Sequence, residues 1–184
     1  MADVARFVRG FVGTPLFDRL AAARRVRKEL AFAYDLAPPG AGGRSLLVNG
    51  FLDVHADEED GTLIADYKTD SLDGTDPVAL CDAQYSIQRL IYALAALRSG
   101  AQRVEVVYCF LEQPGEVVGR TWEASDAPAL ETDLLDLAGG VIQGTFEPAR
   151  EPHLHLCAQC AGRPSLCSWD EAATTRAPGA TLEA

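Results

Sequence analysis

The sequence predicts an α/β sandwich, a mixed central sheet flanked by helices. Three observations predict it. The patterns run helix, three strands, helix, two strands, helix. Two of the strand runs are separated by an acidic, glycine-containing stretch of the kind a hairpin turn needs. The chain has 184 residues and is 48% hydrophobic, enough for one domain with a sizeable core.

The elements follow in order. Asp3 to Val12 and Phe17 to Lys28 read as helices. Thr14-Pro15 lies between them and suits a helix start, with proline early in the first turn. Leu16, Leu20, Ala23 and Arg27 keep helical spacing. Glu29 to Leu36 (ELAFAYDL) reads as a strand, and Ala37 to Arg44 (APPGAGGR) as a Pro/Gly loop. Leu46 to Val54 and Thr62 to Tyr67 are strands around the turn Asp57-Glu58-Glu59-Asp60-Gly61. After the acidic loop 71–77, one helix is expected from Val78 to Ser99, stopping before Gly100 with Ile87, Leu90, Ile91 and Leu94 as its core stripe. Arg103 to Leu111 and Glu116 to Trp122 are two more strands joined by Gln113-Pro114-Gly115. Ala127 to Gln143 is the last long helix. The reading is one domain over 1–170, with a cysteine-containing loop at 153–169 and a disordered tail at 171–184.

No apolar run approaches the roughly 20 residues that span a membrane. The first residues, MADVARFVRG, hold no apolar segment of signal-peptide type. A cytoplasmic protein without a membrane partner is expected. The net charge of −11 argues against a generic nucleic-acid binder. The charge is uneven, however. Acids crowd the region from Asp53 to Asp82, while Arg19, Arg24, Arg25, Arg27 and Lys28 form a basic cluster.

The chemistry concentrates in the stretch Val48 to Asp70. Asp53 lies on the first hairpin strand, Asp66 near the end of the second, and Lys68 two residues on. Side chains alternate along a strand, so Asp66 and Lys68 share a side. Carboxylate oxygens are the hard ligands that Mg²⁺ prefers, and a metal there can activate water and stabilise charge on a phosphate. Lys68 can stabilise a transition state or position the water. As a strand-end lysine it is expected to contribute little to the core. His55 shares Asp53's face by spacing, and Gln84, Gln88 and Tyr92 step by four along the next helix. The alternative is a solvated hairpin whose charges only confer solubility.

Gly50-Phe51-Leu52-Asp53 followed by Ile64-Ala65-Asp66-Tyr67-Lys68-Thr69 resembles the core motif of the PD-(D/E)XK nuclease superfamily. With Gln88-Arg89-Leu90-Ile91-Tyr92 behind it, the pattern is similar to RecB- and AddA-type nuclease domains over roughly 27–169. The resemblance implies a restriction-endonuclease-like fold with a mixed central sheet flanked by helices. It implies a metal-dependent DNA nuclease domain, an exonuclease with the endonuclease alternative left open, using Mg²⁺ or Mn²⁺ on single- or double-stranded DNA beside a helicase module, in end processing, recombination and repair. Asp53, Asp66 and the backbone carbonyl of Tyr67 would hold the metal, Lys68 would serve the transition state, and Gln88 and Tyr92 would line the site. Glu29 falls where such domains carry a glutamate that can orient a metal-bound water. The related nucleases also bring a histidine to the metal from an early helix. No histidine precedes His55 here.

Cys157, Cys160 and Cys167, with His153 and His155 just before, suggest a second site for Zn²⁺ or an Fe–S cluster. The pattern resembles the C-terminal part of the [4Fe–4S] staple of some relatives, but the N-terminal cysteine of that staple is absent and the first cysteine is Cys81. Metal-free thiols are the alternative. Two further functional readings stand beside the nuclease: an inactive nuclease-fold scaffold that binds DNA, and a zinc-binding interaction module centred on the cysteine loop.

Overall fold

The computed structural model describes residues 2–38, 45–72, 74–145, 150–163 and 165–178. Most of the Pro/Gly loop expected after the first strand, 39–44, lies outside them, as does 179–184 of the expected tail. The chain divides into two compact units, 1–142 and 143–184, where the sequence reading runs one domain to residue 170.

In the first unit, helices α1 (Ala2–Phe11) and α2 (Pro15–Ala22) precede strands β1 (Arg25–Leu36), β2 (Leu46–Asp57) and β3 (Thr62–Lys68). Then come α3 (Pro77–Gln84), α4 (Ser86–Arg98), β4 (Arg103–Phe110), β5 (Val117–Glu123) and α5 (Ala127–Gln143). The five strands stand in the order β1-β2-β3-β4-β5, and only β3–β4 is parallel. This is the expected mixed sheet with flanking helices. One face packs Leu52, Ile64, Val104 and Val106 against α4 and α5. The other packs Val54, Ala56, Leu63 and Ala65 against Leu16 of α2.

Two helices end earlier than their sequence periodicity. The second does not reach Lys28; it stops at Ala22, and Arg25 to Lys28 open β1. The cause is pairing: Arg25 lies across from Asp57 and Arg27 from His55, so the strand captures residues whose spacing also suits a helix. The long helix is broken at Tyr85, whose φ of −118° and ψ of 5° close α3 and open α4. The break re-phases α4. Ile87 is exposed, and Arg89, Tyr92 and 93–97 are buried instead. At its far end the helix stops as expected, with Gly100 at φ 102°.

The hairpin turn is set by Gly61. The Glu58 N–H donates to the Gly61 carbonyl at 2.9 Å. A Cβ at Gly61 would stand 2.7 Å from the Arg103 carbonyl oxygen, so β4 passes where a side chain would be.

Two members of the basic cluster, Arg19 and Arg27, are paired with acids. Arg19 donates to Glu58 at 3.1 and 2.8 Å and to Glu105 at 2.8 Å, and Arg27 pairs with Asp57 at 2.9 Å.

The second unit carries α6 (Leu154–Cys157) and α7 (Glu171–Thr175). The Leu154 N–H donates to the Arg176 carbonyl at 2.9 Å. Asp170 caps α7 through the Ala173 N–H at 2.8 Å. A helix therefore occupies the start of the segment expected to be an unstructured tail.

Candidate active site

The site forms where a sheet ladder ends. β2 and β3 pair from Asp57↔Thr62 to Val54↔Ala65 and no further. Beyond that point β2 continues on β1 alone and β3 on β4 alone, so the two central strands fork. Asp53 and Asp66 are the first residues past the last pair. The Tyr67 N–H, released from the ladder, donates to Asp53 Oδ2 at 3.0 Å.

A slip in alternation accompanies the fork. Leu52 packs toward α4 and His55 lines a groove against Ala95 and Ala96 of α4, while Val54 packs toward α2. Opposite it on β1, Glu29 takes φ +49°, the only non-glycine with positive φ among the described residues, and the ladder skips the Glu29/Asp53 step while keeping its register. Both strands therefore carry an irregular residue at the same level, as sheets do where a side chain must be re-aimed. Glycine at position 50 serves the same region: a Cβ there would lie 3.0 Å from the Phe32 ring, which in turn meets Tyr92 edge-on at 5.9 Å.

Asp66 is 3% exposed. Lys68 Nζ lies 2.7 Å from its Oδ2, so the two share a side as strand alternation requires. The pair has the distance of an ion pair without the direction of a hydrogen bond: Oδ2 is shut from solvent and receives no directed donor among the described residues. Burial pushes the Asp66 carboxyl above the usual carboxylate range; Lys68 opposes the shift and the Asp53 charge adds to it. The Lys68 ammonium donates to Gln88 Oε1 at 2.8 Å, and Gln88 Nε2 donates to the Tyr92 hydroxyl at 3.0 Å. Burial, followed by the nearby Asp66 charge, drives the Tyr92 phenol up. Asp66, Lys68, Gln88 and Tyr92 thus form one connected network, with Asp53 joined to it through the Tyr67 amide.

Three expectations change. Lys68 is 12% exposed at its side chain, with its ammonium over the rings of Tyr85 at 4.1 Å and Tyr108 at 5.2 Å. It is a buried partner of Asp66, not a peripheral strand-end lysine. The polar contacts of His55 lie with Arg27 at 3.2 Å and Asp57 at 3.5 Å rather than with Asp53 or Asp66, and burial and Arg27 depress its pKa. Gln84, on the far side of the Tyr85 break, is exposed and outside the network. Tyr85 and Tyr108 are the neighbours that sequence reasoning missed. Aromatic residues in a helix and a core strand carry no signal of a lysine between them.

No group of three His, Cys, Asp or Glu side chains that could hold a metal occurs among the described residues. The two carboxylates do fit a hard cation when a backbone carbonyl completes the set, and the undirected, buried Asp66 Oδ2 is the oxygen such an ion would satisfy. Cys157, Cys160 and Cys167 are free thiols, and Cys160 and Cys167 line a cleft of about 560 Å³ without converging into a ligand set. Cys81 is buried in the core, its thiol pushed up to about 11 by burial.

The first unit is an α/β domain whose mixed sheet forks, with two aspartates and a lysine at the fork. The family model of the PD-(D/E)XK nuclease superfamily matches residues 4–167, and the chain belongs to that superfamily. It is 29% identical over 126 residues to an ATP-dependent helicase/nuclease subunit of Acetivibrio thermocellus, covering 64% of this chain and 10% of that protein. Proteins of the same name from Bacillus thuringiensis and Bacillus anthracis are 32% identical over 102 residues, covering 48% of this chain and 8% of theirs. The chain spans about one tenth of the length of these relatives. A solved structure entitled "Crystal structure of SSO0001" shares the fold at a TM-score of 0.50 and 17% identity, over 88% of this chain and 66% of that one. No described helix is long and apolar enough to cross a membrane.

Proposed function

We propose that residues 1–170 form a metal-dependent DNA nuclease domain that hydrolyses phosphodiester bonds beside a helicase module in end processing, recombination and repair. The observation that carries this reading is the meeting of Asp53, Asp66 and Lys68 at the β2–β3 fork. The helicase partner is inferred from the printed names of the relatives. An exonuclease on single- or double-stranded DNA and a cytoplasmic setting belong to the same proposal.

Asp53, Asp66 and the Tyr67 carbonyl would hold Mg²⁺ or Mn²⁺. Such an ion, when bound, lowers the pKa of a water and offsets charge on a phosphate. The chain's own residues do the rest. Asp66 carries its charge at a desolvated position, where charge–charge interactions are least screened. The Lys68 ammonium, fixed by Gln88 Oε1, presents N–H donors at the place where charge develops on the phosphoryl oxygens. Gln88 is itself fixed by Tyr92, so the donor array is pre-organised before substrate arrives. Zn²⁺ or an Fe–S cluster at Cys157, Cys160 and Cys167 is not part of this proposal.

The test is cleavage of end-labelled linear DNA, single- and double-stranded, with Mg²⁺ or Mn²⁺, beside Lys68→Ala and Asp53→Asn, each checked for folding by circular dichroism. Metal-dependent cutting by the parent and its loss in both folded variants is expected. Equal cutting by parent and variants would overturn the site. The second reading is an inactive nuclease-fold DNA-binding scaffold; the pairing of Arg19 and Arg27 with acids takes two cations from a DNA-binding face and counts against it. It requires DNA binding without cutting, with or without a helicase module.

A further inference from the structure

We infer that Tyr85 and Tyr108 are positioning residues for the candidate site, holding the Lys68 ammonium against Asp66 and Gln88 by the faces of their rings. The inference rests on the nuclease reading of that site and adds two residues that neither the motif nor the network of carboxylates contains.

Four observations carry it. The Lys68 ammonium lies 4.1 Å from the centre of the Tyr85 ring and 5.2 Å from that of Tyr108, both inside the range where a ring face attracts a cation. The two rings are 5.3 Å apart at 38°, forming a tilted wall rather than two separate contacts. Tyr108 is fully buried, and its hydroxyl donates to the Tyr85 carbonyl at 3.1 Å, so one ring locks the backbone that carries the other. That carbonyl belongs to the residue at which the helix 77–98 is interrupted.

Helix propensity gives no reason for the interruption. No proline or glycine lies between Pro77 and Arg98, and no side chain caps the start of α4. The broken turn is what delivers a ring to Lys68. The arrangement also solves a physical problem: an ammonium in a nearly closed site needs more than one carboxylate and one amide oxygen to replace its water shell. Ring faces supply that attraction without adding a second anion that would compete for the metal.

The quantity at stake is the negative potential of the ring faces, which fluorination removes while shape is nearly kept. The experiment places phenylalanine, difluorophenylalanine and pentafluorophenylalanine at position 108, and separately at 85, in the full chain. It measures kcat and KM on end-labelled DNA with Mg²⁺, alongside the ¹³C and ¹H resonances of the Lys68 side chain. Tyr108→Phe, which loses the hydroxyl that holds the Tyr85 carbonyl, is the reference for the series at 108, and kcat is expected to fall stepwise to roughly five- to thirtyfold below that reference with fluorination while KM stays level. In the parent, Lys68 side-chain resonances are expected upfield through the ring currents and returned to ordinary positions in Tyr85→Leu. A kcat indifferent to fluorination overturns the inference, since a purely structural ring has no such dependence. So do Lys68 resonances that are unshifted in the parent. If the parent itself does not cut DNA, a role in that reaction falls with the nuclease reading, and ring-shifted Lys68 resonances then show that the reading failed and the placement did not.

Discussion

Replacing Lys68 by methionine removes a charge from a nearly closed site and leaves Asp66 behind. The lysine side chain is 12% exposed and the Asp66 side chain 4% exposed, and their closest atoms are 2.7 Å apart. Methionine preserves most of the apolar stem, so the loss is mainly electrostatic. Removing one member of a buried ion pair costs about 3–5 kcal/mol, because the other charge stays desolvated. The lower end applies here, since the pair is not fully sealed from solvent. A loss of about 3 kcal/mol corresponds to a Tm lower by about 6–12 °C for a chain of this size. The loss must depend on pH. The Asp66 carboxyl already titrates above the ordinary range, and without Lys68 it rises further. Toward about pH 4, near the reference carboxylate value, protonation of Asp66 shrinks the penalty toward that of a lost hydrogen bond. By about pH 8 the penalty is larger, because it grows as pH rises through the raised Asp66 value. Saturating Mg²⁺ should restore part of it by supplying another cation to the same oxygens. The assay is urea unfolding followed by circular dichroism at both pH values, with and without Mg²⁺. Equal losses at the two pH values, or a loss under about 0.5 kcal/mol at the higher one, would refute the reading of Lys68 as a buried counter-charge.

Other outcomes follow from the same geometry. Because the folded pKa of Asp66 is raised, its contribution to stability is present at low pH and is lost as pH rises through that value; Asp66→Asn lacks this slope, so its stability relative to the metal-free parent should improve with pH across that window, while calorimetry shows loss of Mg²⁺ binding. Unchanged Mg²⁺ affinity would remove Asp66 from the ligand set. Glu29→Val should lower stability by about 1–2 kcal/mol in urea titrations, since φ +49° crowds a β-branched side chain, whereas Glu29→Gly should not. Gly61→Ala should cost more than about 1 kcal/mol by the same measurement, its Cβ meeting the Arg103 carbonyl at 2.7 Å.

Much of this architecture is legible in the residues. The strand runs from Leu46 to Tyr67 and the helix from Ala127 to Gln143 follow pattern and turn chemistry, and the structure places them within a few residues. Asp66 and Lys68 are two apart on a regular strand, so their shared side follows from period alone. Asp53 and His55 are also two apart, yet their contacts differ: Asp53 accepts from the Tyr67 amide and His55 meets Arg27 and Asp57, in a strand whose ladder skips the Glu29/Asp53 step. Pairing between distant strands drew 25–28 out of a helix, and a hydrogen bond from Tyr108 accompanies the break at Tyr85. Both are tertiary effects that no local window contains. The cysteine spacing looked like a ligand set; the described residues of the second unit do not assemble one.

The Tyr67 amide has a use of its own. It spans the gap between two strands that are otherwise suspended from different neighbours, and its acceptor is a carboxylate oxygen proposed to bind a cation. A cation on Asp53 would draw charge from the carboxylate that this amide donates to, and the amide would report that change more directly than those of the paired residues beside it. Its chemical shift and its exchange with deuterium therefore form a built-in gauge of occupancy, readable without nucleic acid, turnover or any introduced label.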